Sequence, residues 1–339
     1  MRCYLLRAAE VVSPYKVGVF VLKIQSTKSN LIIKPLINCE ITYAFHDIDG
    51  THSLIRDWPP VMSICLYDVI ENGLPENFDS VENAKRLISL AGTRNLPETD
   101  QFCIASAGLS ALTQMEWAIR RAVQEGNIKV DCDLNTNSQI IDRINNGIEY
   151  YEDLPETDEM TEMLKEQTPR LFKLYEAVLN GYCRDKNLIR AKENPEEFRI
   201  AGSMEFLQFL KDNGVKNYFV TGAVVEKGMG MHQEVEALGY EIGEGKLIED
   251  IIGSTWTEKM PKNMVMQKLL KDLNIKGENV LVVGDGRAEI QAGVQMGAFV
   301  VSRLPENADY QRNLHKKLGT NIIVKDFCDE EFLKLFKGE

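Results

Sequence analysis

The chain has 339 residues, 44% of them apolar and 27% charged, with 39 Lys and Arg against 51 Asp and Glu for a formal charge of −12. That composition excludes a disordered or fibrous chain and predicts a soluble globular protein of about two domains. The acidic surplus argues against nucleic acid and anionic membranes as partners, and a phosphorylated substrate would need a cation's help.

The seven cysteines (Cys3, Cys39, Cys65, Cys103, Cys132, Cys183 and Cys328) form no CxxC pair and have no His-x-x-x-His partner. An odd, dispersed set predicts reduced thiols and a cytoplasmic protein instead of a disulfide or zinc framework. Residues 1–40 carry Arg2, Arg7, Lys16, Lys23, Lys28 and Lys34 against Glu10 and Glu40. The apolar run "VGVFVL" is too short for a signal peptide or for the roughly 20 residues of a membrane span. "YKVGVFVLKI" and "NLIIKPLI" around "QSTKSN" predict a short β extension shaped as a hairpin.

"ITYAFHD" (41–47) has the composition of a strand, yet the next sheet-like segment comes only after residue 200. The intervening stretch is helical in pattern. In "AGLSALTQMEWAIRRAVQEG", Leu109, Leu112, Met115, Ile119 and Val123 share one helical face before Gly126, and Leu171, Leu174, Tyr175 and Val178 do the same in "TEMLKEQTPRLFKLYEAVLNGY". From residue 200 onward, "KNYFVTG", "EDIIGST", "NVLVVGDG", "AFVVSRL" and "NIIVKDF" alternate with "MEFLQFLKDNG", "HQEVEALG", "KNMVMQKLLKDLNI" and "AEIQAGVQMG". Continuous apolar runs between helices predict an α/β fold with a doubly wound parallel sheet, its strands buried on both faces. The division expected is an extension over 1–40, a core from 41–51 and 200–339, and a mainly α-helical domain inserted over 52–199.

In such sheets ligands bind beyond the carboxyl ends of the strands. Asp47 and Asp49 follow the first strand, Thr221 ends the second and Asp285 follows "VLVV". Each feature alone reads as something plainer: "DIDGT" and "VGDG" as turns, Thr221 as a helix cap. Their joint placement at successive strand ends predicts one crevice. Carboxylates packed together repel unless a cation sits among them, and an oxygen-only donor set favours Mg2+ with a phosphate ester as substrate. Asp47 stands where a carboxylate nucleophile would, and Asp49 where it could move protons at the leaving oxygen.

In these residues the chain resembles the haloacid dehalogenase superfamily of phosphohydrolases, with its Rossmann-like core and, between the first two motifs, a C1-type helical cap. "DIDGT" is similar to the first motif and implies Asp47 as nucleophile and Asp49 as general acid and base. "FVTG" is similar to the second, implying that Thr221 binds the transferring phosphoryl group. "VGDGRAEI" is similar to the fourth, with Asp285 a metal ligand and Glu289 at a second acidic position that is usually Asp. The third motif is a lysine. Lys262 opens a helix after Pro261 and is preferred narrowly over Lys259 in the loop before it. The resemblance thus implies Mg2+ held by Asp47, Asp49, Asp285 and Glu289, with Thr51, Gly222 and Arg287 as candidate substrate contacts. His52, Arg56, Gly228, Gly230 and His232 lie near these motifs without an assigned chemistry.

The expected activity is Mg2+-dependent hydrolysis of a small phosphate monoester through an aspartyl-phosphate, by a monomer or homodimer. A sugar phosphomutase using the same two aspartates is the alternative. A dehydrogenase is disfavoured because GxGxxG would need glycine where Glu289 stands, and a non-catalytic binding protein because both aspartates and a lysine are present.

Overall fold

The computed structural model describes residues 17–19, 31–32, 39–54, 57–256, 258–329 and 332–333. Three short strands open the chain, β1 (Val17–Val19), β2 (Leu31–Ile32) and β3 (Cys39–Ile41), and β4 (Tyr43–His46) follows at once. Seven α-helices come next: α1 (Pro59–Asn72), α2 (Val81–Leu90), α3 (Pro97–Ala105), α4 (Ala111–Gln124), α5 (Leu134–Asn145), α6 (Asp158–Leu179) and α7 (Asp185–Glu193). The chain then alternates through α8 (Ser203–Asp212), β5 (Lys216–Val224), α9 (Met231–Ala237), β6 (Asp250–Ser254), α10 (Lys262–Asp272), β7 (Val280–Gly284), α11 (Arg287–Met296), β8 (Phe299–Arg303), α12 (Asp309–Leu318) and β9 (Ile322–Val324).

The main sheet runs β2-β9-β8-β7-β4-β5-β6, with six strands parallel and β2 antiparallel at its edge. The apolar runs explain why it is buried on both sides. Ala44, Leu281, Val283, Phe299 and Val301 point into one core with Phe206 and Leu210 of α8. Phe45, Val280, Val282 and Val300 point into another with Val265 and Leu269 of α10 and Ile290 of α11. Each such fully buried side chain contributes about 1.5–3 kcal/mol relative to exposure. Gly293 of α11 is required by that packing, since a Cβ there would lie 2.9 Å from Val300 and 3.0 Å from Val282.

One expectation needs correcting. The described residues of the N-terminal extension do not form a hairpin: β1 pairs with β3 in a separate two-stranded sheet, and β2 pairs with β9 at the edge of the main sheet. The remainder of residues 1–38, and Arg56, lie outside the described residues. Helix α12 also escapes the sequence pattern, being so polar that its only buried residue is His315.

The helices between β4 and α8 bury a separate apolar cluster, centred on Leu66 of α1, Met115 and Ile119 of α4 and Leu171 and Val178 of α6. Gly126 stops α4 in the left-handed region at φ 79°. The outgoing and returning crossings are tied to each other, Leu54 N donating to Phe198 O at 2.8 Å and Ile200 N to His52 O at 3.2 Å. Both crossings therefore leave the sheet at one point, just beyond β4. Among the described residues, no helix is long and apolar enough to cross a membrane.

Candidate active site

Strand register brings the predicted residues together. His46, the last residue of β4, lies beside Phe219 of β5 and Val283 of β7. Asp47 continues the ladder by one bond, its N–H donating to Val283 O at 2.9 Å. Thr221 and Asp285 stand two residues beyond those neighbours, so all three converge where the strand order reverses across β4, the switch point at which open sheets bind ligands.

The turn after Asp47 is shaped by its neighbours across the site. Gly50 has φ 81°, and a Cβ on it would lie 2.1 Å from Asp285 Oδ2. Thr51 donates to Asp285 Oδ1 at 3.0 Å, and Arg303 donates to Gly50 O at 2.9 Å. Thr51 is thus fully buried as a support for Asp285, not as a wall of the cavity. Thr221 Oγ1 accepts from Ala223 N at 3.1 Å, which leaves its hydroxyl hydrogen to donate elsewhere.

Lys262, at the start of α10, is buried and donates to Asp47 Oδ1 at 2.6 Å and to Glu289 Oε2 at 3.0 Å. Lys259 goes elsewhere. Its ammonium meets Glu116 Oε2 of α4 at 2.8 Å and the Tyr151 hydroxyl at 2.5 Å, so it ties the loop before α10 to the helical cluster and does not reach Asp47. The two lysines stand only three positions apart. The one inside the first helical turn points at the strand ends, and the one in the loop points to the helical cluster.

Carboxylate oxygens of Asp47, Asp285 and Glu289 lie within 4.8 Å of one another. Burial pushes Asp47 up, Lys262 pulls it back and Glu289 lifts it again, leaving it at about 6. Burial, followed by Asp47 and Glu289, raises Asp285 well above the usual carboxylate range. Glu289 is lowered: burial opposes its charge, but Lys262 and the Gly286 N–H outweigh it. Burial also opposes the charge of Lys262, yet Asp47 and Glu289 win and its pKa is raised. One lysine against three carboxylates leaves a deficit of positive charge in an oxygen-only group, the donor chemistry of a hard divalent cation.

Asp49 is not part of that group. Its Oδ1 is buried without a hydrogen-bond partner. Burial, then the charges of Glu234 and Asp47, hold its carboxyl well above the usual range against the pull of Lys262 and Arg184. The expectation that Asp49 is a metal ligand therefore gains no support from its carboxylate, which lies outside the group formed by Asp47, Asp285 and Glu289. Arg287 also departs from expectation: it packs against Gly147, 3.4 Å from where a Cβ would be, and is not among the cavity's lining.

The cavity above these groups has a volume of about 360 Å³. Its floor is Asp47, Asp49, Thr221, Lys262 and Asp285, and its roof comes from the helices. Gly222 lines it for a steric reason, since a Cβ there would lie 2.5 Å from Leu109 O of the segment before α4. Sequence reasoning missed the polar part of the roof, namely Gln114, Glu176, Arg184 and Glu234. Glu234 sits in the "EKGMGMHQE" segment noted for its proximity, but nothing in the sequence pairs it with Arg184, fifty positions earlier.

Behind Asp47, the buried His46 and His52 form a chain. His52 Nε2 lies 3.0 Å from His46 Nδ1, His46 Nε2 lies 3.2 Å from Asn217 Oδ1, and His52 Nδ1 lies 2.6 Å from Ser203 Oγ. Burial lowers His46 to about 3 and His52 well below its usual value, so both are neutral and brace the turn without charge. His232 pairs with Glu236 at 3.5 Å, outside this chain.

A family model described as haloacid dehalogenase-like hydrolase matches residues 133–302, half of the chain, a span that begins after Asp49 and contains Thr221, Lys262, Asp285 and Glu289. Curated protein sequences gave no match. Among solved structures, the β-phosphoglucomutase of Clostridium difficile is 14% identical over 88% of this chain and 98% of its own, with a TM-score of 0.45. A hydrolase from Pseudomonas syringae is 15% identical over 86% of this chain and 97% of its own, with a TM-score of 0.44. Neither likeness is close enough to carry an activity across.

Proposed function

Since the chain belongs to the haloacid dehalogenase-like hydrolases, we propose that it hydrolyses a small phosphate monoester through a phosphoryl group carried on Asp47. The observation that carries this reading is the contact of Lys262 with Asp47 at 2.6 Å, beside Asp285 and Glu289 and on the floor of the cavity. A carboxylate, a buried cation and an acidic group around one point support the roles of nucleophile, phosphate binder and metal site that this reading gives them.

Asp47, Asp285 and Glu289 would hold Mg2+, which when bound offsets the negative charge that nucleophile and phosphate bring together. In the first step an Asp47 oxygen attacks phosphorus and the bond from phosphorus to the leaving oxygen breaks. Asp49, whose buried surroundings favour the protonated form, gives its proton to that oxygen, and the alcohol leaves. Lys262 and the Thr221 hydroxyl hydrogen bind the phosphoryl oxygens, where charge develops. In the second step a water loses its proton to Asp49 and attacks phosphorus, releasing phosphate and restoring the Asp47 carboxylate.

Phosphate release from a panel of small monoesters is expected to require Mg2+, to stop on its removal with EDTA, and to fall by about 10³-fold or more in Asp47→Asn with the fold unchanged. Undiminished hydrolysis by that variant would refute the covalent route. Phosphate that migrates between positions of one sugar without release would replace hydrolysis with the mutase alternative.

A further inference from the structure

The roof of the cavity has a polar character of its own, built around Arg184. In an unbroken α-helix a residue eight positions on is rotated by about 80° from the starting face. Residues Asn180–Arg184 form a π-helical turn after α6, and the extra residue it accommodates returns Arg184 to the face of Glu176. There the guanidinium is gripped on all sides. It donates to Glu176 Oε2 at 2.5 Å and Oε1 at 3.0 Å, to Asn180 Oδ1 at 3.1 Å, and to Glu234 of α9.

The result is a buried cation with two carboxylates in front of it. The Arg184 side chain is 10% exposed, against 20% for Glu176 and 23% for Glu234. Gln114 adds a third acceptor, because its amide N–H groups are directed at Ser106 and leave Oε1 for the cavity. Among the described lining residues the only cations are Lys262, which belongs to the phosphate end, and Arg184, whose charge is already exceeded by its partners. The remaining wall is mostly apolar, with Met62, Phe172 and Leu179 among it, and carries Ser53, Tyr175 and Asn187 as its further polar side chains.

We infer that the alcohol part of the substrate presents hydrogen-bond donors, hydroxyl or ammonium, to Glu176 and Glu234, and that esters carrying a second anion are rejected there. This rests on the phosphatase reading and deepens it by naming the class of leaving group. A second phosphate or a carboxylate would meet a roof of net negative charge and, among the described lining residues, find no unengaged arginine, and a like charge so placed costs on the order of 10–100-fold in selectivity. A donor-bearing alcohol meets acceptors whose lone pairs are only partly used. The volume of about 360 Å³ leaves room beyond the phosphate for an alcohol of several carbons, its methylene groups against the apolar wall.

The test compares three esters of matched length, hydroxypropyl, aminopropyl and carboxyethyl phosphate, by kcat/KM on the full-length protein with Mg2+. The hydroxyl or the amine ester is expected to exceed the carboxylate ester by about 10–100-fold. Amine above hydroxyl would mark an ammonium as the group read, and the reverse a polyol. Glu234→Gln, which removes one negative charge from the roof, should narrow the gap to the carboxylate ester. A carboxylate ester turned over as well as the others, or better, overturns the inference. If no ester releases phosphate, the phosphatase reading fails separately, and calorimetric binding of the same three esters to Asp47→Asn still decides this one: donor esters tighter upholds it, equal or reversed affinity overturns it.

Discussion

The floor and the roof of the cavity are built in opposite ways. The floor is supplied by strand ends and the first turn of one helix: Asp47 after β4, Thr221 in β5, Lys262 at the start of α10 and Asp285 after β7. Each position is fixed by a ladder register or a close contact, such as the bond from Asp47 N to Val283 O or the space that Gly50 leaves for Asp285. The roof is supplied by helix faces, and its central group, Arg184 with Glu176 and Glu234, depends on a π turn and on a helix from the other side of the cavity. The floor concentrates unbalanced charge, and the roof conceals its cation. On the proposed function, chemistry belongs to the first and choice of alcohol to the second.

If that division holds, disturbing the floor should stop turnover and disturbing the joint between floor and roof should only slow it. Lys262→Met should lower kcat by about 10²–10³-fold, the cost of removing one preorganised donor to a developing anion. A steady-state assay at saturating Mg2+ measures it, and a loss below tenfold would mean that Lys262 merely fills the fold. Asp285→Asn should raise the Mg2+ concentration needed for half-maximal activity by roughly 10–100-fold. The same variant should melt higher than wild type in EDTA, by about 2–4 °C for each kcal/mol of repulsion relieved, because burial and two carboxylates already oppose its charge. A lower Tm would contradict the charge imbalance described for the floor.

The smallest effect is expected for Lys259→Met. Its bond to Glu116 is a quarter exposed on the lysine side, and Glu116 keeps its partner Arg120. A partly exposed pair is worth up to about 1 kcal/mol, so kcat/KM should fall by about threefold or less. A loss as large as that of Lys262→Met would return Lys259 to the phosphate site and break the comparison.

Much of the floor was legible in the sequence because parallel strands announce themselves as continuous apolar runs, and polar residues at their ends have one place to go. The resemblance carried by "DIDGT", "FVTG" and "VGDGRAEI" rested on such local stretches. The choice between Lys262 and Lys259 was narrow because three positions on paper become opposite directions only when α10 begins at Lys262. Adjacency in sequence to Asp47 did not tell that the Asp49 carboxylate stands outside the group formed by Asp47, Asp285 and Glu289. The roof was illegible for a different reason. Glu176, Arg184 and Glu234 lie in unremarkable helical sequence, and a π turn has no signal in hydrophobic periodicity. Helix α12 was missed because "DYQRNLHKKL" lacks the apolar stripe on which such reading depends.

The central claim, that Asp47 carries the phosphoryl group, is tested most directly by rapid acid quench of the protein with Mg2+ and a turned-over monoester, followed by mass spectrometry of the peptide containing residues 44–53. The account predicts a phosphoryl group on Asp47 that forms within one turnover and disappears as substrate is exhausted. Phosphate release with that peptide unmodified throughout, or a phosphoryl group residing on another residue, would contradict it.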